Sequence, residues 1–69
     1  MKINRFDVVE LNDKNKATIR NIQSDGYFVE VVDLNGNSLG TKIISETEIN
    51  KIIYSNFLDI LTKKKIHIT

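Results

Sequence analysis

The sequence contains no cysteine, no proline and no tryptophan, and it has one histidine. Without cysteine there is no disulfide framework, no thiolate metal site and no thiol nucleophile. Small secreted β domains often depend on disulfides, so their absence favours a reducing compartment, and the expected location is the cytoplasm. No apolar run approaches the ~20 residues of a membrane-spanning helix. Polar residues interrupt the opening Met1-Lys2-Ile3-Asn4-Arg5-Phe6-Asp7, which is unlike a signal peptide. No membrane partner is expected. The three glycines all fall in or beside turn signals, so no glycine-rich phosphate loop exists. His67 stands near the end of the chain and reads as a terminal strand residue rather than a general base. No Ser–His–acid grouping is legible, and Glu46 and Glu48 are accounted for by a helix start. The expectation is a protein that is not an enzyme, with no cofactor and no catalytic or metal site.

Charge of one sign is also scarce. Ten Lys and Arg face nine Asp and Glu, a net charge of +1. Three of the ten bases are Lys63–Lys65, so residues 1–62 hold seven bases against nine acids, a net of −2. The body is mildly acidic and the end basic. The lysine run reads first as a helix C-terminus complementing the helix dipole.

What the chain does have is a strand with a turn at each end: Asp25-Gly26-Tyr27-Phe28-Val29-Glu30-Val31-Val32-Asp33-Leu34-Asn35-Gly36. Tyr, Phe and Val suit a pleated, half-buried surface, and Asp-Gly and Asn-Gly suit tight hairpin turns. Around it lie a first strand at residues 6–11, a second at 16–23, this third one at 27–33 and a fourth at 39–44. A two-residue turn at Asn35-Gly36 sets Val32 opposite Leu39, Glu30 opposite Thr41 and Phe28 opposite Ile43. It gathers Phe28, Val32, Leu39 and Ile43 on one face and Tyr27, Val29, Val31 and Ile44 on the other. A three-residue loop at Ser24-Asp25-Gly26, with Gly26 left-handed, sets Ile22 opposite Phe28 and pairs Arg20 with Glu30. Both faces of the third strand are then partly apolar, which asks for a small barrel or a covering helix. Gly40 inside the fourth strand fits a bend or bulge.

Residues 45–62 change period. Ser45-Glu46-Thr47-Glu48 is a capping box, and Ile49, Ile52, Ile53, Phe57, Ile60 and Leu61 follow at helical spacing, so a helix is expected there. The competing reading is one turn at 47–49 followed by a strand at 51–55. Ile66–Thr69 reads as a short closing strand beside the first. The expected core is Phe6, Val8, Ile19, Ile22, Phe28, Val29, Val31, Val32, Leu39, Ile43, Ile49, Ile52, Ile53, Phe57, Ile60 and Leu61. One metal pattern, Asp33-Leu34-Asn35-Gly36-Asn37, spaces oxygen side chains as a calcium loop does. Ser38 and Ile44 stand where such a loop needs glycine and a bidentate glutamate, so the stretch reads as a hairpin.

The runs Phe6–Leu11, Lys16–Ile19, Asp25–Gly36 and Thr47-Glu48-Ile49 together resemble a family of small bacterial domains of unknown function with an SH3-like barrel. They are also similar to the wider KOW-like barrels of transcription and ribosomal proteins. The KOW pattern carries a glycine after the first loop where this chain has Lys16-Ala17, which departs from the nucleic-acid-binding members. The resemblance covers residues 6–49. It implies an SH3-like barrel; joined to the periodicity of residues 45–62, the expected fold is one SH3-like domain over residues 1–69, mainly β: four antiparallel strands, a C-terminal helix and a possible short closing strand. The resemblance also implies a stand-alone binding module, and some members stand beside toxin genes, which suggests an immunity or inhibitor protein. The expected partner is therefore another protein, a toxin or other effector, and a basic one given the acidity of residues 1–62. Candidate protein-binding residues are Asp25, Tyr27, Glu30 and Asp33. A nucleic-acid-binding barrel using Lys63–Lys65, Arg20 and a tyrosine (Tyr27 or Tyr54), and a structural homo-oligomer, are the two other readings.

Overall fold

A computed structural model describes residues 2–54 of the protein. The elements are β1 (Val8–Leu11), β2 (Lys16–Gln23), β3 (Gly26–Val32), β4 (Ser38–Ile44), a single 3-10 turn (Glu46–Glu48) and β5 (Ile49–Tyr54). All neighbours are antiparallel, and the sheet order is β4-β3-β2-β1-β5. The protein is therefore a small β-rich fold in which a four-stranded meander receives a fifth strand along β1.

One face of the sheet is the core. Val9 and Leu11 of β1, Ala17 and Ile19 of β2, Val29 and Val31 of β3, Ile44 of β4 and Ile49 of β5 are buried in one cluster with Ile3. Alternation along each strand sends these side chains to the same side. The pairing of Phe28 with Ile43 on the face opposite Val29, Val31 and Ile44 is as expected, but the expected core is corrected on that face: Phe28 and Val32 are half-buried, and Leu39 and Ile43 are exposed. Ile22 and Ile53 are exposed as well. Both faces of β3 are apolar in sequence, but the one carrying Val29 and Val31 holds the core.

The helix expected from Ser45 does not form. Its capping box holds only the 3-10 turn: the Glu48 carboxylate accepts the Ser45 amide at 2.9 Å, and the Ser45 and Thr47 hydroxyls meet at 2.7 Å. Asn12 then claims the turn's carbonyls, its backbone amide donating to Glu48 O at 3.0 Å and its side chain to Thr47 O at 2.8 Å. The chain after it is a strand, Ile49–Tyr54, close to the competing reading of a turn and a strand at 51–55, and it pairs with β1, the place expected for Ile66–Thr69. The helical spacing of Ile49 and Ile52 has another cause. Leu11 pairs with Ile49, Glu10 with Lys51 and Val9 with Ile52. Asn50 is the extra residue of a bulge, so residues three apart share the inner face. Phe57, Ile60, Leu61, the C-terminal half of the expected helix, Lys63–Lys65, His67 and the closing strand at Ile66–Thr69 all lie outside the described residues.

The two hairpins also exchange their expected loop lengths. Gln23 pairs with Gly26, leaving Ser24-Asp25 as a two-residue turn. At the other hairpin Asp33 N donates to Asn37 O at 2.9 Å and Gly36 N to Asp33 O at 3.0 Å, closing a three-residue loop over Leu34, Asn35 and Gly36, with Gly36 at φ +86. That is a type I turn followed by a left-handed residue. The register between Phe28 and Ile43 and between Glu30 and Thr41 is as expected, and the extra loop residue is absorbed by a bulge at Leu39, where Gly40 has φ +91. In β2 the extra residue is Arg20. Thr18 rather than Arg20 stands opposite Glu30, yet the guanidinium still reaches the Glu30 carboxylate at 2.7 Å.

Phe6 is a further correction. It lies before β1 at φ +69 and is exposed beneath the Arg5 guanidinium, 4.9 Å from its ring centre. The cause is Asp7. Its side chain is fully buried and accepts the Asn4 amide at 2.9 Å, while Asp7 N donates to Asn4 O at 3.1 Å. This tight turn rotates Phe6 outward and Ile3 inward.

Candidate functional site

The β2–β3 turn and the start of the 3-10 turn meet at one end of the sheet. Between them lies a cleft of about 300 Å³ lined by Gln23, Ser24, Asp25, Gly26, Tyr27, Ser45 and Glu46. Each side is placed for a local reason. The Ser24-Asp25 turn puts Asp25 at a hairpin tip. Gly26 lets β4 come close: a side chain here would place its Cβ 2.5 Å from the Ile44 carbonyl oxygen. The chain then turns at Ser45, so Glu46 comes beside Tyr27. Tyr27 packs partly against the core, and it lines the cleft together with the acidic residues Asp25 and Glu46. This arrangement can hold a cation or the basic side chain of a partner.

Of the four expected site residues, the cleft brings together Asp25 and Tyr27. Glu30 sits in the middle of β3 on the outer face, paired with Arg20. Exposed pairs of this kind contribute about 0–1 kcal/mol. Asp33 is at the far end of β3 and serves its own loop. One carboxylate oxygen accepts the amides of Asn35 at 2.8 Å and Asn37 at 2.9 Å, and the other accepts the Asn37 side chain at 3.3 Å. The calcium-like spacing of Asp33, Asn35 and Asn37 is thus occupied by turn hydrogen bonds. Among the described residues no group of three or more His, Cys, Asp or Glu converges as a metal site. Ser45 and Glu46 were assigned to a helix start by their sequence. The signal that would have placed them at the cleft is the β-branched run Ile49, Ile52 and Ile53, which favours a strand after one turn.

The Asp33 carboxyl is held below its ordinary value, first by the Asn37 backbone amide and then by the Asn37 side chain and the Asn35 and Gly36 amides. A lowered native value means that the stabilisation is complete above the ordinary value of 3.8 and is lost as the pH falls through the native one. Asp33→Asn should therefore flatten the acid limb of stability. The urea midpoint of the natural chain should fall more between pH ~5 and pH ~2.5 than that of the variant. Equal losses would show that the loop carboxylate contributes nothing. Glu10 is lowered in the same direction, chiefly by the Asn50 side chain, which donates to it at 2.6 Å.

A second, smaller cleft of about 150 Å³ is lined by Leu11, Asn12, Asp13, Lys42 and Glu48. It joins β4 to the β1–β2 loop and the 3-10 turn, although β4 and β1 are not neighbours in the sheet order.

No helix among the described residues is long and apolar enough to cross a membrane. No family model matches the chain, and no solved structure matches it. A stretch of 52 residues, 75% of this chain, is 38% identical to part of an uncharacterized ABC transporter permease MG468 homolog of Mycoplasma pneumoniae, and it spans 3% of that protein's length.

Proposed function

We propose that this chain is a non-enzymatic binding module of SH3-like type that takes a basic segment of another protein into the cleft between the β2–β3 turn and the 3-10 turn. The observation that carries this reading is the convergence of Asp25, Tyr27 and Glu46 on one concave surface. The described strands form one open antiparallel sheet in the order β4-β3-β2-β1-β5, so the SH3-like barrel is the finer part of this reading and leans on the resemblance and on the second cleft. There Lys42 and residues of the β1–β2 loop line one concavity. The partner class is a basic effector such as a toxin, and the role is that of an immunity or inhibitor protein acting in the cytoplasm. The permease relative's name fits a module that also recurs as a short part of a longer membrane-transport chain.

The test is binding of a fluorescent Lys/Arg-rich peptide to the full chain at low and moderate salt, with an acidic peptide as control. Asp25→Lys together with Glu46→Lys should weaken capture about a hundredfold, ~1.4 kcal/mol for each reversed charge. Glu30→Lys should change it little. Capture that is the same in all three proteins would sink this site. The nucleic-acid reading has Arg5 stacked on the exposed Phe6 ring in its favour. Steeply salt-dependent binding of random RNA that survives reversal of Asp25 and Glu46 would establish it instead.

A further inference from the structure

An asparagine side chain can be attacked by the main-chain amide of the residue that follows it, and glycine in that place offers no side chain to obstruct the attack. The chain has eight asparagines, and only Asn35 precedes a glycine. We propose that Asn35-Gly36 is a site of spontaneous deamidation and that Asp33 is the brake on it. The reaction needs water and nothing else. The deprotonated Gly36 nitrogen attacks Asn35 Cγ and closes a five-membered imide, while the side-chain nitrogen takes a proton from solvent and leaves as ammonia. Water then opens the ring. Attack at Cγ gives aspartate; attack at the Asn35 main-chain carbonyl leaves the chain running through the side-chain carbons, as isoaspartate.

Two observations favour this position. The first is room. Asn35 and Gly36 are exposed at the tip of the β3–β4 loop, and nothing stands within 4 Å of the place a Gly36 Cβ would occupy. The second is the freedom of the side chain. Asn12, Asn15, Asn37 and Asn50 each donate their side-chain amide to another group, and the Asn21 side-chain oxygen accepts the Ile22 amide. Among the described residues the Asn35 side chain makes no such bond; only its main-chain amide is held.

The brake is the hydrogen bonding of the loop. Gly36 N donates to Asp33 O at 3.0 Å, and while it does so it neither loses its proton nor turns toward Cγ. The Asp33 carboxylate fastens the main chain on both sides, accepting the amides of Asn35 at 2.8 Å and Asn37 at 2.9 Å. Its negative charge also opposes ionisation of the neighbouring Gly36 amide. Attack therefore proceeds from the opened loop, and the bonds to Asp33 keep that population small. Isoaspartate lengthens the loop by one main-chain atom, so the closure from Asp33 N to Asn37 O is lost once it forms.

The natural full chain, the same chain unfolded in urea, and Asp33→Ala, its fold checked by circular dichroism, are incubated in mildly alkaline buffer. Peptide mapping by mass spectrometry then locates each asparagine converted to an acid. Asn35 should be the first asparagine converted in all three. Asp33→Ala should convert it at least about tenfold faster than the folded natural chain, approaching the unfolded rate. Asp33→Asn keeps an acceptor oxygen without the charge; its rate should fall between the two, and it carries the test should Asp33→Ala not fold. Another asparagine converting first overturns the proposal. So does an Asn35 rate in the folded natural chain equal to that of the unfolded chain or of the folded variant. The measurement involves no partner, so its failure is distinct from failure of the binding role.

Discussion

Ile19→Ala is expected to cost about 2–5 kcal/mol, the range for removing a buried isoleucine side chain. For a chain this short, whose total stability is of the order of 3–10 kcal/mol, that is enough to leave much of it unfolded. Ile19 is fully buried and sits on β2 at the centre of the sheet order. It pairs with Val29, also fully buried, so the gap cannot be filled from solvent. Leu39→Ala removes a similar amount of apolar side chain and is expected to change stability by less than about 0.5 kcal/mol, because Leu39 is 55% exposed at its bulge. Urea denaturation followed by circular dichroism reads both. The pair decides which face of the sheet is the core: similar losses would mean that the outer face carries as much of the fold as the inner one.

Gly26→Ala is expected to cost about 1–3 kcal/mol for a reason unrelated to backbone freedom. The Cβ would collide with the main-chain oxygen of Ile44, and main chain cannot rotate away as a long side chain can. Relief requires β4 to move, which breaks the Tyr27–Ile44 pairing and withdraws the fully buried Ile44 from the core. Gly36→Ala is the informative comparison. Nothing stands within 4 Å of the added carbon there, so the cost is the left-handed strain alone, about 1–2 kcal/mol. The two also differ in function. Gly26 lines the cleft and Gly36 lies at the far end of β3, so Gly26→Ala should impair peptide capture where Gly36→Ala does not. Capture unchanged in a folded Gly26→Ala chain would argue against the cleft as the binding surface.

The strands were legible in the sequence because apolar, β-branched and aromatic stretches are separated by turn dipeptides over residues 16–44, and β2 begins and ends where expected. What was not legible comes down to bulges. An extra residue at Arg20, Leu39, Asn50 or Ile53 shifts the two-residue alternation by one, and no local composition announces it except Gly40. The bulge at Asn50 gave a strand the spacing of a helix. The loop lengths were misjudged because Asn35-Gly36 looks like a complete turn until Asp33 is seen to hold Asn35 and Asn37. The buried Asp7 hid the exchange of Phe6 for Ile3, since a carboxylate in a core is not anticipated from its neighbours. At the site, Asp25 and Tyr27 could be singled out as turn and strand residues. Glu46 could not, because its place depends on the chain turning back after a single 3-10 turn.

β4, one of the two outer strands among the described residues, bears on how crowded the protein can become. A sheet edge offers unpaired peptide groups that invite another chain. On this one, Lys42 stands opposite the buried Val29, on the inward side, and the left-handed Gly40 breaks the run of regular spacing. An incoming strand would have to bury the ammonium and match a kink. Lys42 and Gly40 therefore act as guards against fibre-like stacking; Lys42→Val should raise light scattering at high protein concentration, whereas valine at Gly40, with φ +91, would also strain the strand.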